Sequence, residues 1–391
     1  MKKNVTAYEQ NLCTSCGMCA AVCPKGAIQI LLNPEGFYRP VVDEQTCVSC
    51  GRCLDVCYRC DQTVKEQHEY LAAYSAFDRD MAARMSASSG GAATLLLRQC
   101  IRDGYTVLGV AYDEKRGLAV SELITDEAQL EKLRGSKYMQ SDTLDAFRYM
   151  VQHRGKYAVI GTPCQIYAVR RYCERYHLAD RFLFIDLFCN GCPSMLVWQK
   201  YLGWLRRKTG WKAFDKIEFR SKARGWHAHC YRLYSGARTY VTKPDNDPFY
   251  QLYQGKAVLN PACYACRVRN SFHYADIRLG DFWDKKYAND EAGVSAVVIC
   301  SQRGADLFDR VAGQMEVRRE DLREMLICQG FGTVRSFRPD ERSRLMALLK
   351  SPCDIRRVVR CQQSFLPVRE RLRRRAARLL KPLRRLWKRM R

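Results

Sequence analysis

Eight cysteines fall into two runs of one form, Cys13-x2-Cys16-x2-Cys19-x3-Cys23 and Cys47-x2-Cys50-x2-Cys53-x3-Cys57. Thiolates so spaced can wrap two 4Fe-4S cubanes. Three cysteines on a tight loop cap three irons of one cluster, and the fourth, too far along to reach the same cube, crosses to the other. The pattern therefore assigns Cys13, Cys16, Cys19 and Cys57 to one cluster and Cys47, Cys50, Cys53 and Cys23 to the second. Gly17 and Gly51 suit the turns, because a residue without a Cβ can take positive φ beside a bulky group. Zinc knuckles and disulfides are the competing readings. Zinc sites use CxxC pairs, and no secretory context favouring disulfides is visible. One-electron transfer is the chemistry such a cluster pair performs. Two departures stand out: Tyr58 occupies the place that Pro24 has in the first run, and Cys60 follows three residues after Cys57, as a spare ligand or an inert neighbour.

A cluster pair needs only a short segment, and 391 residues leave room for two or three domains. The hydrophobic content of 47% supports a sizeable core. No apolar run is long enough to span a bilayer, and no signal peptide is recognisable, so a reducing cytoplasm is the expected compartment. The net charge of +25 is unevenly spread. Between Arg356 and Arg391 fifteen Lys or Arg residues face one acid, Glu370. There Leu372, Ala376, Leu379, Leu380, Leu383, Trp387 and Met390 recur at helical spacing among arginines, the pattern of a basic amphipathic helix that Pro382 would kink. Such a helix suits peripheral contact with an anionic membrane. Its alternative is docking on the chain's own body, and nucleic acid is the weaker reading because aromatic platforms other than Trp387 are missing.

Strands and helices alternate through the middle of the chain. Ser86 is expected to cap a helix over 92–102, followed by a strand over 106–112. A strand at 157–160 leads through Gly161-Thr162-Pro163-Cys164 into a helix over 165–176, and a strand at 182–188 leads through Cys189-Asn190-Gly191-Cys192-Pro193 into a helix over 194–208. This alternation predicts an α/β fold with a largely parallel sheet. Such sheets bind ligands beyond the carboxyl ends of their strands, where Cys164 and Cys189 fall. With Cys263-Tyr264-Ala265-Cys266 they could enclose a further cluster, although CxxC also suits zinc or a redox dithiol, and Cys192 competes with Cys189.

Five motifs occur in order: Ser88-Ser89-Gly90-Gly91, Gly135-Ser136-Lys137-Tyr138-Met139-Gln140-Ser141, Gly161-Thr162-Pro163-Cys164-Gln165, Phe219-Arg220-Ser221-Lys222 with Gly225-Trp226, and Asp276-Ile277-Arg278-Leu279-Gly280-Asp281-Phe282-Trp283. In these the chain resembles the beta subunit of coenzyme F420 hydrogenase and dehydrogenase. The resemblance implies FAD, and a third 4Fe-4S cluster on Cys164, Cys189, Cys263 and Cys266. Asn190 replaces the His common after the second ligand, and Cys192 is extra, so the fourth ligand is Cys189 or Cys192. The implied organisation is a dicluster ferredoxin domain over 1–65, the two parts of the beta-subunit domain over 66–150 and 151–335, and a basic amphipathic tail over 336–391.

Ser88, Ser89, Gly90 and Gly91 open a helix whose free N–H groups can receive a pyrophosphate, although without the resemblance a capped helix with a packing glycine is the preferred account of them. Ser136 and Thr162 join them as cofactor-binding candidates. Lys137 could balance phosphate or a reduced isoalloxazine, and His227 could supply a proton; His229 flanks it on the same strand pattern. The expected function is an iron-sulfur flavoprotein oxidoreductase linking ferredoxin, or another redox protein, to an organic hydride acceptor or donor. That molecule would be coenzyme F420 or a substrate of surface-polysaccharide synthesis, with either direction of flow allowed. The alternatives are a non-catalytic electron-transfer subunit and a fold merely stapled by clusters.

Overall fold

A computed structural model describes residues 3–370, apart from 62, 65, 245, 246 and 334. The amphipathic pattern from Leu372 to Met390 lies outside the described residues. Among the described residues no helix is long and apolar enough to cross a membrane.

The two cysteine runs fold alike. Each reaches a short helix, Met18–Ala21 or Arg52–Asp55, through a glycine at φ +77. Two residues before each glycine, Ser15 and Ser49 also take positive φ, at 63° and 54°. Consecutive N–H groups in such a path form a concave, anion-seeking surface. Strands β1 (Ile28–Leu32) and β2 (Tyr38–Val42) pair antiparallel between the two runs.

The remaining strands are β3 (Ala72–Asp78), β4 (Thr106–Asp113), β5 (Leu118–Ile124), β6 (Ser141–Asp142), β7 (Tyr157–Gly161), β8 (Phe182–Leu187), β9 (Lys216–Ser221), β10 (Cys230–Ser235), β11 (Arg238–Val241), β12 (Ile277–Asp281), β13 (Ser295–Ile299) and β14 (Met315–Arg319). Nine of them form one sheet in the order β14-β3-β13-β12-β8-β7-β4-β5-β6, and β11-β10-β9 form a small second sheet. β12, β8, β7 and β4 are mutually parallel, the core expected from alternating strands and helices; the antiparallel pairs lie on either side of it. Helices cover both faces of this core. Phe182 and Phe184 pack with Ile166 and Tyr167 of the helix Pro163–Arg175. Leu183 and Ile185 pack on the other side with Leu96 and Leu307, which is why the whole run is apolar.

Two expectations are corrected. Ser86 does not cap the helix Ala92–Arg102: it ends the helix Met81–Ser86 and donates to Ala83 O at 2.8 Å. Gly91 is the N-cap, at φ +96, a conformation that disfavours residues with a Cβ. The segment from 336 is also not all tail. Helices Pro339–Lys350 and Ile355–Ser364 bury Leu345, Met346, Leu349, Ile355, Val358 and Val359 in the core that holds Trp198 and Phe249, because those residues recur on one helical face.

Arg278 on β12 and Asp186 on β8 form an ion pair with both side chains fully buried, and Arg278 Nε meets Asp186 Oδ1 at 2.7 Å. Arg278 also donates to Arg269 O at 2.9 Å and Ser271 O at 2.7 Å, holding the segment after the CxxC loop against the sheet. Asp186→Ala leaves that cation unpaired and is expected to cost about 3–5 kcal/mol, measured by urea unfolding.

Candidate functional site

Cys13, Cys16, Cys19 and Cys57 line one cavity with Thr14, Ser15 and Arg59. Burial pushes the Cys16 thiol up to about 12 and Cys19 well above its ordinary value, with the other thiols of the set adding to the rise. Thiolates at Cys16 and Cys19 are therefore held there only against an opposing charge, which the irons of a cubane supply. Arg59 places its terminal nitrogens on the carbonyls of Val5, Tyr8 and Glu9, and its Nε is buried without a partner. The set thus fits an anionic cluster. Against its burial, the neighbouring Cys60 thiol and the Arg59 guanidinium hold Cys57 down to about 6, which makes Cys60 a neighbour of the set.

The second set lies nearer the surface. Cys50 is exposed, while burial raises Cys53 to about 11, with Cys50 and Cys23 adding to the rise. Asn4 Nδ2 donates to Cys47 Sγ at 3.6 Å.

A larger cavity of about 360 Å³ opens beyond the carboxyl ends of β7, β8 and β12, and five thiols line it: Cys164, Cys189, Cys192, Cys263 and Cys266. Cys189 is the common electrostatic neighbour of the other four. Cys192 interacts with Cys263 and Cys189, and its backbone N–H donates to Cys263 Sγ at 3.4 Å. Burial raises Cys263 to about 12. Lys256, Arg269 and Arg335 gather around Cys189 and Cys263, and the Nε atoms of both arginines are buried without partners. The terminal nitrogens of both arginines bond neutral groups only, and cations so placed around desolvated thiols fit an iron-sulfur cluster. Among the described residues no three His, Cys, Asp or Glu side chains are grouped for a single ion; a cubane's irons sit at separate corners, so its thiolates stand apart.

The lining of this cavity also holds Ser88, Ser89, Gly91, Ser136, Lys137 and Thr162. Ser136 N–H donates to Ser88 Oγ at 2.9 Å, joining the two loops at the start of the helix Ala92–Arg102. Arg134 lines the same cavity with its Nε buried and unpartnered. Serine hydroxyls, a free guanidinium N–H and a helix N-terminus fit the phosphates of a dinucleotide, and Tyr138, Tyr253 and Trp283 in the same lining fit a planar ring. Gly90 is not part of the lining; it packs on β3, where a Cβ would come within 2.3 Å of Ala76 O. Thr162 caps the helix Pro163–Arg175 and lies 3.3 Å from Cys164 Sγ.

Lys137 donates to the carbonyls of Val110 at 2.9 Å, Lys132 at 3.1 Å and Arg134 at 2.8 Å. All three of its protons are thus spent on clamping the loop, and burial pulls it down to about 7. His227 is exposed, meets Tyr287 O at 3.2 Å and lies outside the cavity lining. His229 stacks on Trp283 at 5.2 Å, and burial lowers it to about 4. Sequence reasoning gave no role to Arg220. Its nearly buried guanidinium joins Asp281 Oδ2 at 2.8 Å and Tyr138 Oη at 2.7 Å and reaches Ser88 O at 3.3 Å. Its position inside the Phe219-Arg220-Ser221-Lys222 motif was the available signal.

The two cavities share a wall, Thr14 and Ser15. Asn260 Nδ2 donates to Cys13 O and Ser15 Oγ, both at 3.1 Å, and Thr143 Oγ1 donates to Cys16 O at 2.8 Å. Tyr58, the residue in proline's place, accepts from Arg267 N at 2.8 Å and donates to Ala265 O at 3.3 Å, the two neighbours of Cys266. Cys16 in turn is an electrostatic neighbour of Cys164. Tyr58→Phe removes both of these hydrogen bonds, each worth about 0.5–1.5 kcal/mol, and is expected to lower stability by about 1–3 kcal/mol, read by denaturant unfolding under anaerobic conditions.

The models for the beta subunit of coenzyme F420 hydrogenase/dehydrogenase match at residues 73–148 for the N-terminal part and 154–323 for the C-terminal part. The 4Fe-4S dicluster domain matches residues 12–59. One of the subunits of the F(420)H(2) dehydrogenase of Methanosarcina mazei is 24% identical over 328 residues, which is 81% of this chain and 87% of the relative. A chain of the F420-reducing [NiFe] hydrogenase complex from Methanosarcina barkeri aligns at 17% identity with a TM-score of 0.46, over 78% of this chain and 96% of that one. The chain is an iron-sulfur oxidoreductase that belongs to the family of coenzyme F420 hydrogenase/dehydrogenase beta subunits and carries a 4Fe-4S dicluster domain.

Proposed function

We propose that this oxidoreductase exchanges electrons with an external redox protein, such as a ferredoxin, at its surface cysteine set and with an organic two-electron substrate at the larger cavity. The observation that carries the reading is the larger cavity itself. It brings five thiols and the Ser88–Ser136 wall to one site and shares Thr14 and Ser15 with the dicluster cavity. In this reading Cys47, Cys50, Cys53 and Cys23 hold the outer cluster, Cys13, Cys16, Cys19 and Cys57 the middle one, and Cys164, Cys189, Cys263 and Cys266 the inner one. Ser88, Ser89, Gly91, Ser136 and Arg134 hold FAD. Bound together, clusters supply single electrons and a flavin supplies hydride chemistry.

The chain's own residues do the rest. Lys137 keeps the 132–137 loop closed over the cavity through three carbonyls. Arg220 fixes Asp281, Tyr138 and the Ser88 carbonyl as one rigid rim. The match to a component of an F(420)H(2) dehydrogenase makes coenzyme F420 the first substrate to test. A substrate of surface-polysaccharide synthesis at the membrane rests on the basic stretch beyond 370, and a truncated protein that still pellets with anionic vesicles would remove that support. Because the same relative is one component of a larger dehydrogenase, a second reading has the chain feed a partner enzyme. Purified protein given reduced ferredoxin and oxidised coenzyme F420, with no other polypeptide, separates the two: turnover supports the enzyme reading, and its absence in protein with full iron and flavin supports the electron-feeding one.

A further inference from the structure

Arg39 on β2 is 7% exposed, and its guanidinium sits where the two cavities meet. It donates to Ser15 Oγ at 2.8 Å, Tyr38 O at 2.9 Å and Asn260 Oδ1 at 3.1 Å. All three acceptors are neutral. A guanidinium does not lose its charge in a protein, and an isolated buried charge is unfavourable, so negative charge elsewhere must offset it. The carboxylate within its field, Glu35, is already paired with Arg342 at 3.0 Å. The sulfurs of Cys13 and Cys263, one from each cavity, are also negative groups within its field. Asn260 and Ser15, its hydrogen-bond partners, are the residues that tie the Cys13 loop to the Cys263 loop.

We propose that Arg39 sets the potentials of the middle and inner clusters together, its fixed cation stabilising the added electron on each while leaving the outer cluster unaffected. The proposal rests on the reading that both cavities hold clusters. Its consequence is directional: electrons arriving at the surface set find two neighbouring sites drawn to higher potential, and the bias runs inward toward the flavin cavity. Cys53, Cys50 and Cys23 have no part in the Arg39 network, so they supply an internal control.

The test is an EPR-monitored redox titration of the full chain, purified anaerobically, as wild type, Arg39→Met and Arg39→Lys. Arg39→Met is expected to lower the middle and inner midpoint potentials by about 59 mV, a tenfold change in each one-electron equilibrium, and to leave the outer one in place. Arg39→Lys retains the charge and is expected to restore both. Arg39→Gln covers the case in which Met does not fold. Its amide keeps a donor for the neutral acceptors Ser15 Oγ and Tyr38 O without the charge, and the variant is expected to give the same fall. Unmoved inner potentials, or three equal shifts, overturn the proposal. A wild type holding about eight irons instead of about twelve overturns the underlying reading instead, so the two failures are distinct.

Discussion

Cys189→Ala is expected to remove about four of about twelve irons per chain, with matching acid-labile sulfide, while the dicluster iron stays. Cys189 is the thiol that the other four cavity cysteines share as a neighbour, and it begins the loop after β8 at the carboxyl end of the parallel core. Cys192→Ala is expected to leave the iron unchanged, because Cys192 serves the set mainly through its backbone N–H on Cys263 Sγ at 3.4 Å. Iron and sulfide analysis of the two variants, with EPR of the reduced proteins, reads the difference. Loss of iron in the Cys192 variant with retention in the Cys189 variant would reverse the ligand assignment.

Gly135→Val is expected to release the flavin and spare the clusters. Gly135 has φ +85, and a Cβ there would stand 2.9 Å from the backbone oxygen of Phe219. The left-handed backbone alone costs a residue with a Cβ about 1–2 kcal/mol, roughly tenfold in affinity, and the β-branched clash with backbone adds to it. The loop displaced is the one that carries Arg134, Ser136 and Lys137 into the cavity. Fluorescence of flavin released on denaturation, set against iron per chain, measures the effect. Full flavin retention in this variant would place the cofactor elsewhere.

Local signals made much of this site legible from sequence. The cysteine spacing groups Cys13, Cys16, Cys19 and Cys57, and the four line one cavity, because ligand spacing is a constraint carried by a few consecutive residues. The βα units ending at Cys164 and Cys189 followed from hydrophobic runs and their caps, and the strands Tyr157–Gly161 and Phe182–Leu187 fall within a residue of the expected bounds. What sequence could not reach is set by distant chain. Tyr58 is an unexplained substitution for proline until Ala265 and Arg267 are seen on its hydroxyl. Arg39 is one arginine among many until Asn260 is beside it. His227 is exposed, as its alternate spacing with His229 also allowed, and the stacked pair Trp226 and Trp283, 4.4 Å apart, lies beside it. Helices Pro339–Lys350 and Ile355–Ser364 were hidden by the basic composition around them, although Leu345, Leu349, Ile355 and Val359 carry the apolar period that buries them.

Anaerobic purification of the wild-type chain, followed by iron, acid-labile sulfide and extractable flavin per polypeptide, bears most directly on whether three clusters lie in line with a hydride centre. The cavities predict about twelve irons and about one flavin. About eight irons with no flavin would contradict the account, leaving a dicluster ferredoxin joined to a cavity of another use.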